Sequence, residues 1–434
     1  MTSDVRAGAP QADDRDAVGA GSTASVAPWR RGERGQIALL SFAHGVQHFY
    51  AASLAFSYPY VVAHFGISYA LLGGVLGAAG VVGGLLQALA GLVRRVSARW
   101  LLVGQDIGLA ATLLLAALAP VFAVFALARC LASIVQWPQH PVGSAYLSDR
   151  VPHRRSVALS WHTIGGSIGT LVVPLVAGVV NAAWGWRWAL GVFVPGIALG
   201  ALVLWLRMED PARPAAAPSV AAPSVATPPV AAPPAAVSLV SVLRRRTVLA
   251  ILAAGVVAAA GRGLGVLTAY IPAFLSDGRH LDSVTTGALF TVVLVGSVVG
   301  PAFAGWLADR VGRRRVLLAV YPLAALCLAG YVSVGSSTWA LAGVGLLVGV
   351  FAYAESPLLQ SLFADATQGA NSRSVFGVFF AIAYGVGAIW TAVVGWLVTA
   401  HGFRTAFVVM AVSFVVAGLL ILVAREHPAA APAS

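Results

Sequence analysis

Charge is what this sequence has least of. Only 10% of its 434 residues are charged, against about 25% in a soluble protein. That is too little to wet the surface of a globule this size. Lysine is missing altogether, so the net charge of +12 comes from 27 arginines against 15 acidic residues. The two cysteines, Cys130 and Cys327, stand alone in apolar stretches, which excludes a disulfide framework and a cysteine-held metal. Paired Cys/His ligands, nucleophile elbows and phosphate-binding loops are missing too, so no metal and no cofactor are expected. Gly261-Arg-Gly263-x-Gly265 reads as close packing inside an apolar helix, not as a nucleotide loop. No secretory signal is visible. Residues 1–35 are polar, mixed in charge and rich in Ala and Gly, the composition of a disordered tail.

What the chain has is apolar residues, 59% of the total, with a mean hydropathy of +0.86. A membrane-spanning helix needs roughly 20 of them in a row. That ruler gives twelve spans: 36–63, 69–93, 100–119, 121–147, 156–181, 186–207, 247–275, 283–308, 314–333, 338–364, 373–399 and 404–424. Between the sixth and seventh lies 208–246, with eight prolines from Pro211 to Pro234, a semi-extended linker without an apolar face. The expectation is an all-α membrane protein of two six-helix bundles, 36–207 and 247–425, with a short tail at 426–434.

The arginines orient it. A cytoplasmic N-terminus leaves twenty arginines in inside segments and three outside, Arg187, Arg279 and Arg404. The positive-inside rule then places both termini and the linker in the cytoplasm of a plasma (bacterial inner) membrane. Trp184, Trp186, Trp188 and Trp339 fall at the outer interface, and Trp29, Trp100, Trp205 and Trp306 at the inner one. Arginines clustered between apolar runs meet lipid headgroups; no nucleic-acid partner is expected.

The two bundles repeat. Pro141 and Asp149 match Pro357 and Asp365 at an offset of 216, Arg155-Ser156-Val157 matches Arg373-Ser374-Val375 at 218, and Gly169 matches Gly387 at 218. Parallel six-helix repeats build transporters whose substrate site lies between the halves.

Gly305-Trp-Leu-Ala-Asp309-Arg310-Val-Gly312-Arg313-Arg314-Arg315, between spans 8 and 9, resembles the loop signature of the major facilitator superfamily. The resemblance implies a cytoplasmic gate built on Gly305, Asp309, Arg310, Gly312, Arg313 and Arg314. In the first-half copy, Ala90, Arg94 and Ser97 replace the family's glycine, aspartate and second glycine. Span 5, with Gly165, Gly166, Gly169, Pro174 and Gly178, partly resembles a drug-antiporter signature. His44-Gly-Val-Gln47-His48, Tyr58-Pro59, His140-Pro141 and His162-Thr-Ile-Gly165-Gly166 look like the fosmidomycin-resistance-like branch, which implies an exporter.

Ionisable and polar residues inside the spans are functional candidates by default. His44, Gln47 and His48 share a face of span 1 by their i, i+3, i+4 spacing. Arg129, Ser133, Gln136 and His140 form a polar stripe on span 4. Arg262 and Glu355 lie at midplane depth, on spans expected to line the cavity, and an ion pair between them is expected. An acid so placed can exchange a proton as the cavity opens to either side. With no ATPase motif, a gradient must supply the energy. The sequence therefore reads as a monomeric secondary transporter of a small organic solute, a proton-coupled exporter. Arg129 and Arg262 motivate an alternative, uptake of an organic anion. A polytopic membrane enzyme, with Trp161-His162 at its centre, is the reading from another class. A single cysteine introduced at Ser224 of the linker is expected to react with impermeant maleimide only from the cytoplasmic side; labelling in intact cells would refute the orientation.

Overall fold

A computed structural model describes residues 29–88, 96–151, 155–209, 239–367 and 372–423, and these contain helices and connecting turns. Twelve helical segments follow one another: α1 Glu33–Phe65, α2 Tyr69–Ala88, α3 Ala98–Ala117, α4 122–150, α5 Arg155–Trp184 and α6 186–207, then α7 246–278, α8 Ser283–Val311, α9 Arg313–Ser333, α10 Thr338–Ala366, α11 372–401 and α12 403–423. Helix α1 begins three residues earlier than the apolar run suggests. Leu239–Leu243 is a helical turn, and Val242 within it is buried, although the linker was expected to pack nothing. Arg94, Arg95, most of the linker and the C-terminal tail lie outside the described residues.

Four spans expected to be continuous are interrupted; α6 breaks at a turn over 192–193, between Trp186–Gly191 and Val194–Arg207. In α4 the α-helix ends at Val135, a π-helical turn covers Gln139–Gly143, and the α-helix resumes at Ser144. Pro138 and Pro141 each remove a backbone donor there. Helix α7 stops at Ala258, leaves Arg262 extended (φ −60°, ψ 130°) and restarts as a π-helical turn over Gly263–Leu267. The glycines expected to lie inside a helix mark this break, and Gly265 takes φ +130°, a value an L side chain resists. Helix α11 passes through a π-helical turn at Phe380–Gly385. Such turns free backbone carbonyls, and within a membrane those must find partners in the protein.

Small residues hold the bundles together. On the α1–α5 contact, a Cβ at Gly45 would come within 2.7 Å of the Gly165 carbonyl, so no larger residue fits. The glycine run of α5 thus serves this packing. Two contacts of the same kind join the halves. Gly73, Gly77, Gly80 and Gly84 of α2 lie against Thr391, Ala392, Ala388 and Gly385 of α11, and Gly178 of α5 lies against Ser283 of α8.

The joint is uneven. Tyr69 donates to Asp277 at 2.7 Å, the Ala70 amide to the Thr399 hydroxyl at 2.9 Å and Ser283 to the Gly178 carbonyl at 3.0 Å. All three bonds lie at the face opposite the arginine-rich one. On α5 the residues facing α8 lose cover in the other direction: Gly178 and Pro174 are buried, Leu171 and Ser167 half-buried, Ser160 exposed. On α8, Gly287, Phe290 and Leu294 are buried while Ser297, Pro301 and Gly305 are half-buried. The α5–α8 seam is closed at one face and opens toward the arginine-rich face.

Seven of the expected interfacial tryptophans are exposed or half-buried, but Trp186 is buried against Phe65 and Phe125 with the Arg187 guanidinium 4.4 Å from its ring. Replacing Gly287 with valine would drive a side chain into the Pro174 carbonyl. Spin labels at Ala182 and Val284 are then expected to move apart relative to the parent protein, as measured by double electron–electron resonance.

Candidate functional site

The break in α7 turns Arg262 into the protein interior, where it is 3% exposed. Its Nε donates to Glu355 Oε2 at 3.0 Å and its Nη2 to Oε1 at 3.3 Å, the expected ion pair. The remaining reach of the fork goes to backbone freed by the breaks: Nη2 to the Gly255 carbonyl at 2.6 Å and Nη1 to the Ala383 carbonyl at 2.8 Å. Tyr321 donates to Glu355 Oε1 at 3.4 Å, and the Tyr384 ring lies 4.7 Å from the guanidinium. Tyr384 in turn bonds Ser356 and Gln360. Glu355 is 0% exposed, so in this conformation it has no route to water. It is buried and accepts three hydrogen bonds, two from Arg262 and one from Tyr321.

The histidines gather in the N-terminal half. His44 and His48 of α1, His140 of α4 and His162 of α5 converge, with the His44 ring stacked on His162 at 4.2 Å and edge-on to His48 at 4.8 Å and His140 at 5.2 Å. His44 Nδ1 donates to the His162 carbonyl at 2.7 Å, and His162 Nδ1 to the Leu40 carbonyl at 3.1 Å. Gly166 makes room: a Cβ there would sit 2.8 Å from the His44 ring. His44 and His162 are buried, His48 is half-buried and His140 is exposed. His140 is thus exposed while its ring lies against the buried ring of His44. Among the described residues no group of three or more His, Cys, Asp or Glu is placed to hold a metal ion.

The stripe expected along α4 does not survive as one line, because the helix breaks between Gln136 and His140. Ser133 turns back to the Cys130 carbonyl, and Gln136 ends the first α-helical piece beside Gly83 of α2. Arg129 lies near the hydroxyls of Tyr50 and Tyr58, and its Nε and Nη1 are buried without a hydrogen-bond partner. Gln47 is buried with its Oε1 unpartnered.

Gln105 and Gln139 went unnoticed in the sequence. Gln105 Nε2 donates to Gln139 Oε1 at 3.1 Å and to Asp106 Oδ1 at 3.2 Å, and the Gln139 backbone N–H donates to Gln105 Oε1 at 2.8 Å. The repeat offset would have found them. Adding 216 to Gln105 and Gln139 gives Tyr321 and Glu355, bonded in the same way in the second half.

At the loop motif, Gly312 (φ +97°) joins α8 to α9. Arg310 covers the Trp306 ring at 3.7 Å, Arg313 pairs with Asp365 at the end of α10, and Arg314 donates to the Ile421 and Leu422 carbonyls. Asp309 is exposed and Gly305 has open space around it. The counterpart position Arg94 lies outside the described residues.

Removing one member of a buried pair strands the other's charge. Arg262→Ala is expected to destabilise the protein by about 3–5 kcal/mol and Glu355→Gln by less, since glutamine still accepts from Arg262. Thermal unfolding of both variants in the same detergent checks the order.

Residues 40–290 and 254–434 match the Major Facilitator Superfamily. A Haemophilus influenzae protein named for metabolite transport is 25% identical over 81% of this chain and 83% of its own length. The multidrug resistance protein MdtG of Enterobacter lignolyticus is 24% identical over 74% of each chain, and the proline/betaine transporter of Escherichia coli is 26% identical over 47% of this chain and 42% of its own. A solved mutant form of the nucleoside transporter NupG superposes with a TM-score of 0.71 at 16% identity, covering 91% of this chain and all of that one. A bacterial homologue of the lysosomal transporter Spinster, inward-facing and unoccupied, superposes at 0.69 with 16% identity, covering 93% of this chain and all of that one. At such identity the likeness speaks to fold alone. With twelve helices in two repeated bundles and a family match across both, this chain is an integral membrane transporter of the Major Facilitator Superfamily.

Proposed function

We propose that this transporter is a proton-coupled exporter of small organic compounds in the bacterial plasma membrane, working as a monomer with its arginine-rich face in the cytoplasm. The observation that carries this reading is the uneven seam between the halves. It is bonded shut at one face and opens at the other, the geometry of one end state of alternating access. The wall of the opening carries His140 rather than a carboxylate, and Arg262 is neutralised by Glu355. A cavity of that character suits uncharged or weakly basic solutes loaded from inside. The drug-resistance relative that matches 74% of this chain supports the export direction.

Arg129 favours a second reading, uptake of an organic anion. Its unpartnered guanidinium nitrogens would donate to a carboxylate or phosphonate oxygen.

In proteoliposomes, counterflow of a radiolabelled solute tests transport, and an imposed pH gradient tests coupling. Export predicts that solute accumulates in inside-out vesicles with an acidic lumen and that a protonophore abolishes accumulation without stopping counterflow. Because Glu355 is sealed and bonded, Glu355→Gln is expected to leave accumulation within about twofold of the parent, well short of the tenfold that corresponds to about 1.4 kcal/mol. Loss of accumulation with counterflow intact would instead return the coupling role to Glu355.

A further inference from the structure

Hydrogen-bond accounting in the histidine cluster fixes more than its geometry. A carbonyl oxygen only accepts, so His44 Nδ1, 2.7 Å from the His162 carbonyl, carries a proton. His162 Nδ1 carries one for the same reason, 3.1 Å from the Leu40 carbonyl. When His44 is neutral its Nε2 must therefore accept, and its neighbour at 3.2 Å, His48 Nε2, must donate. That leaves His48 Nδ1, 2.6 Å from the Thr170 hydroxyl, as an acceptor while His48 is neutral.

Thr170 has one hydroxyl proton and two places to put it. Its Oγ1 lies 3.0 Å from the Gly166 carbonyl as well as 2.6 Å from His48 Nδ1. With His48 neutral, the hydroxyl donates to Nδ1. When a proton arrives, Nδ1 becomes a donor, Thr170 accepts from it and swings its own proton to Gly166. The bond survives either way. The proton can also sit on His44, with Nε2 of His44 donating to Nε2 of His48 and His48 Nδ1 donating to Thr170. A second proton cannot be accommodated, because it would set two N–H groups against each other across 3.2 Å.

We propose that His44 and His48 form a single-proton site in the N-terminal half, with the Thr170 hydroxyl as its switch and His140 as its entrance from the open seam. The proposal deepens the reading that transport is proton-coupled and rests on it. Thr170 is a positioning residue: it does not hold the transported proton but lets the imidazoles take it and release it without losing a partner. The groups facing the site are few. His140 on α4 and His162 on α5 bear on His48 by charge. Asp106 on α3 accepts from Gln105, and its Oδ2 lies beside Gly200 and Val46. Between residues 188 and 206 α6 has no ionisable side chain, and the α7 segment Thr268–Ala273 brings only Tyr270, whose hydroxyl donates to Thr391.

Two measurements test this on the full-length protein in lipid bilayers. The first is 15N solid-state NMR of histidine-labelled protein across a pH series, assigned with His44→Gln and His48→Gln. The expected result is Nδ1–H tautomers for His44 and His162 at high pH and one imidazolium shared by His44 and His48 on acidification. An Nε2–H tautomer at His44, or two imidazolium ions within the pair, would overturn the proposal. The second compares pH-gradient-driven accumulation with counterflow in Thr170→Val and Thr170→Ser. Losing a hydrogen bond to a charged group is costly, so valine is expected to cut accumulation about tenfold or more while counterflow stays near the parent value. Serine, which keeps the hydroxyl, is expected to restore it. Full accumulation in Thr170→Val refutes the switch. If the parent protein shows counterflow but no pH-gradient-driven transport while the single imidazolium still forms, the coupling reading fails and the proton site stands.

Discussion

One guanidinium, buried where no lipid or water can reach it, conditions most of what surrounds it. Arg262 can stand extended between two helical pieces only because its fork reaches the carbonyls of Gly255 and Ala383, which the breaks in α7 and α11 leave short of partners. In a bilayer an unsatisfied carbonyl costs several kcal/mol. A cation at the end of a helical piece also meets the negative end of its dipole. Glu355 makes the cation tolerable by neutralising it. The charge pair, two helix interruptions and the Tyr321 and Tyr384 side chains are thus one construction, and none of its parts makes sense alone.

The first half holds the same positions with different chemistry. Where the second half sets Tyr321 against Glu355, the first sets Gln105 against Gln139. Neutral amides need no counter-ion, so no arginine is drawn in from α1, and the space beside Gln139 is left to histidines. Their partners are carbonyls, a hydroxyl and each other. The two bundles thus share one side-chain hydrogen bond at equivalent positions. One is locked by formal charge, and the other is left able to change charge.

The outline of the fold was legible because hydropathy and arginine placement report on the bilayer, which treats every span alike. The interruptions were not all equally hidden. The turns at 263–267 and 380–385 stay apolar and look like ordinary helix in any window of composition, whereas Pro138 and Pro141 around 139–143 were a signal of a break that hydropathy alone passes over. The pairing of Arg262 with Glu355 could be read from depth, since two lone charges at one level in hydrocarbon have little choice. That His162 joins His44 depends on glycines at 165, 166 and 169 drawing α5 onto α1. Small residues of that kind occur in many spans and do not name their partner. That Trp186 packs inward against Phe65 and Phe125 could not be read from neighbours that are exposed; it follows from the turn at Gly185 (φ +84°).

The contact between α2 and α11 has a mechanical consequence. Gly73, Gly77, Gly80 and Gly84 meet Thr391, Ala392, Ala388 and Gly385 almost backbone to backbone. Close approach makes the surfaces hard to pull apart, because many weak attractions act at short range. Away from the Tyr270 side chain and the Ala70–Thr399 bond at one end, the contact from Gly77 to Gly84 is made of small residues, so little there opposes rolling or sliding of one surface over the other. Such a joint is a plain bearing: stiff in tension, slack in shear. With α5 and α8 splayed on the opposite flank, the two bundles are coupled as the blades of shears are at their rivet.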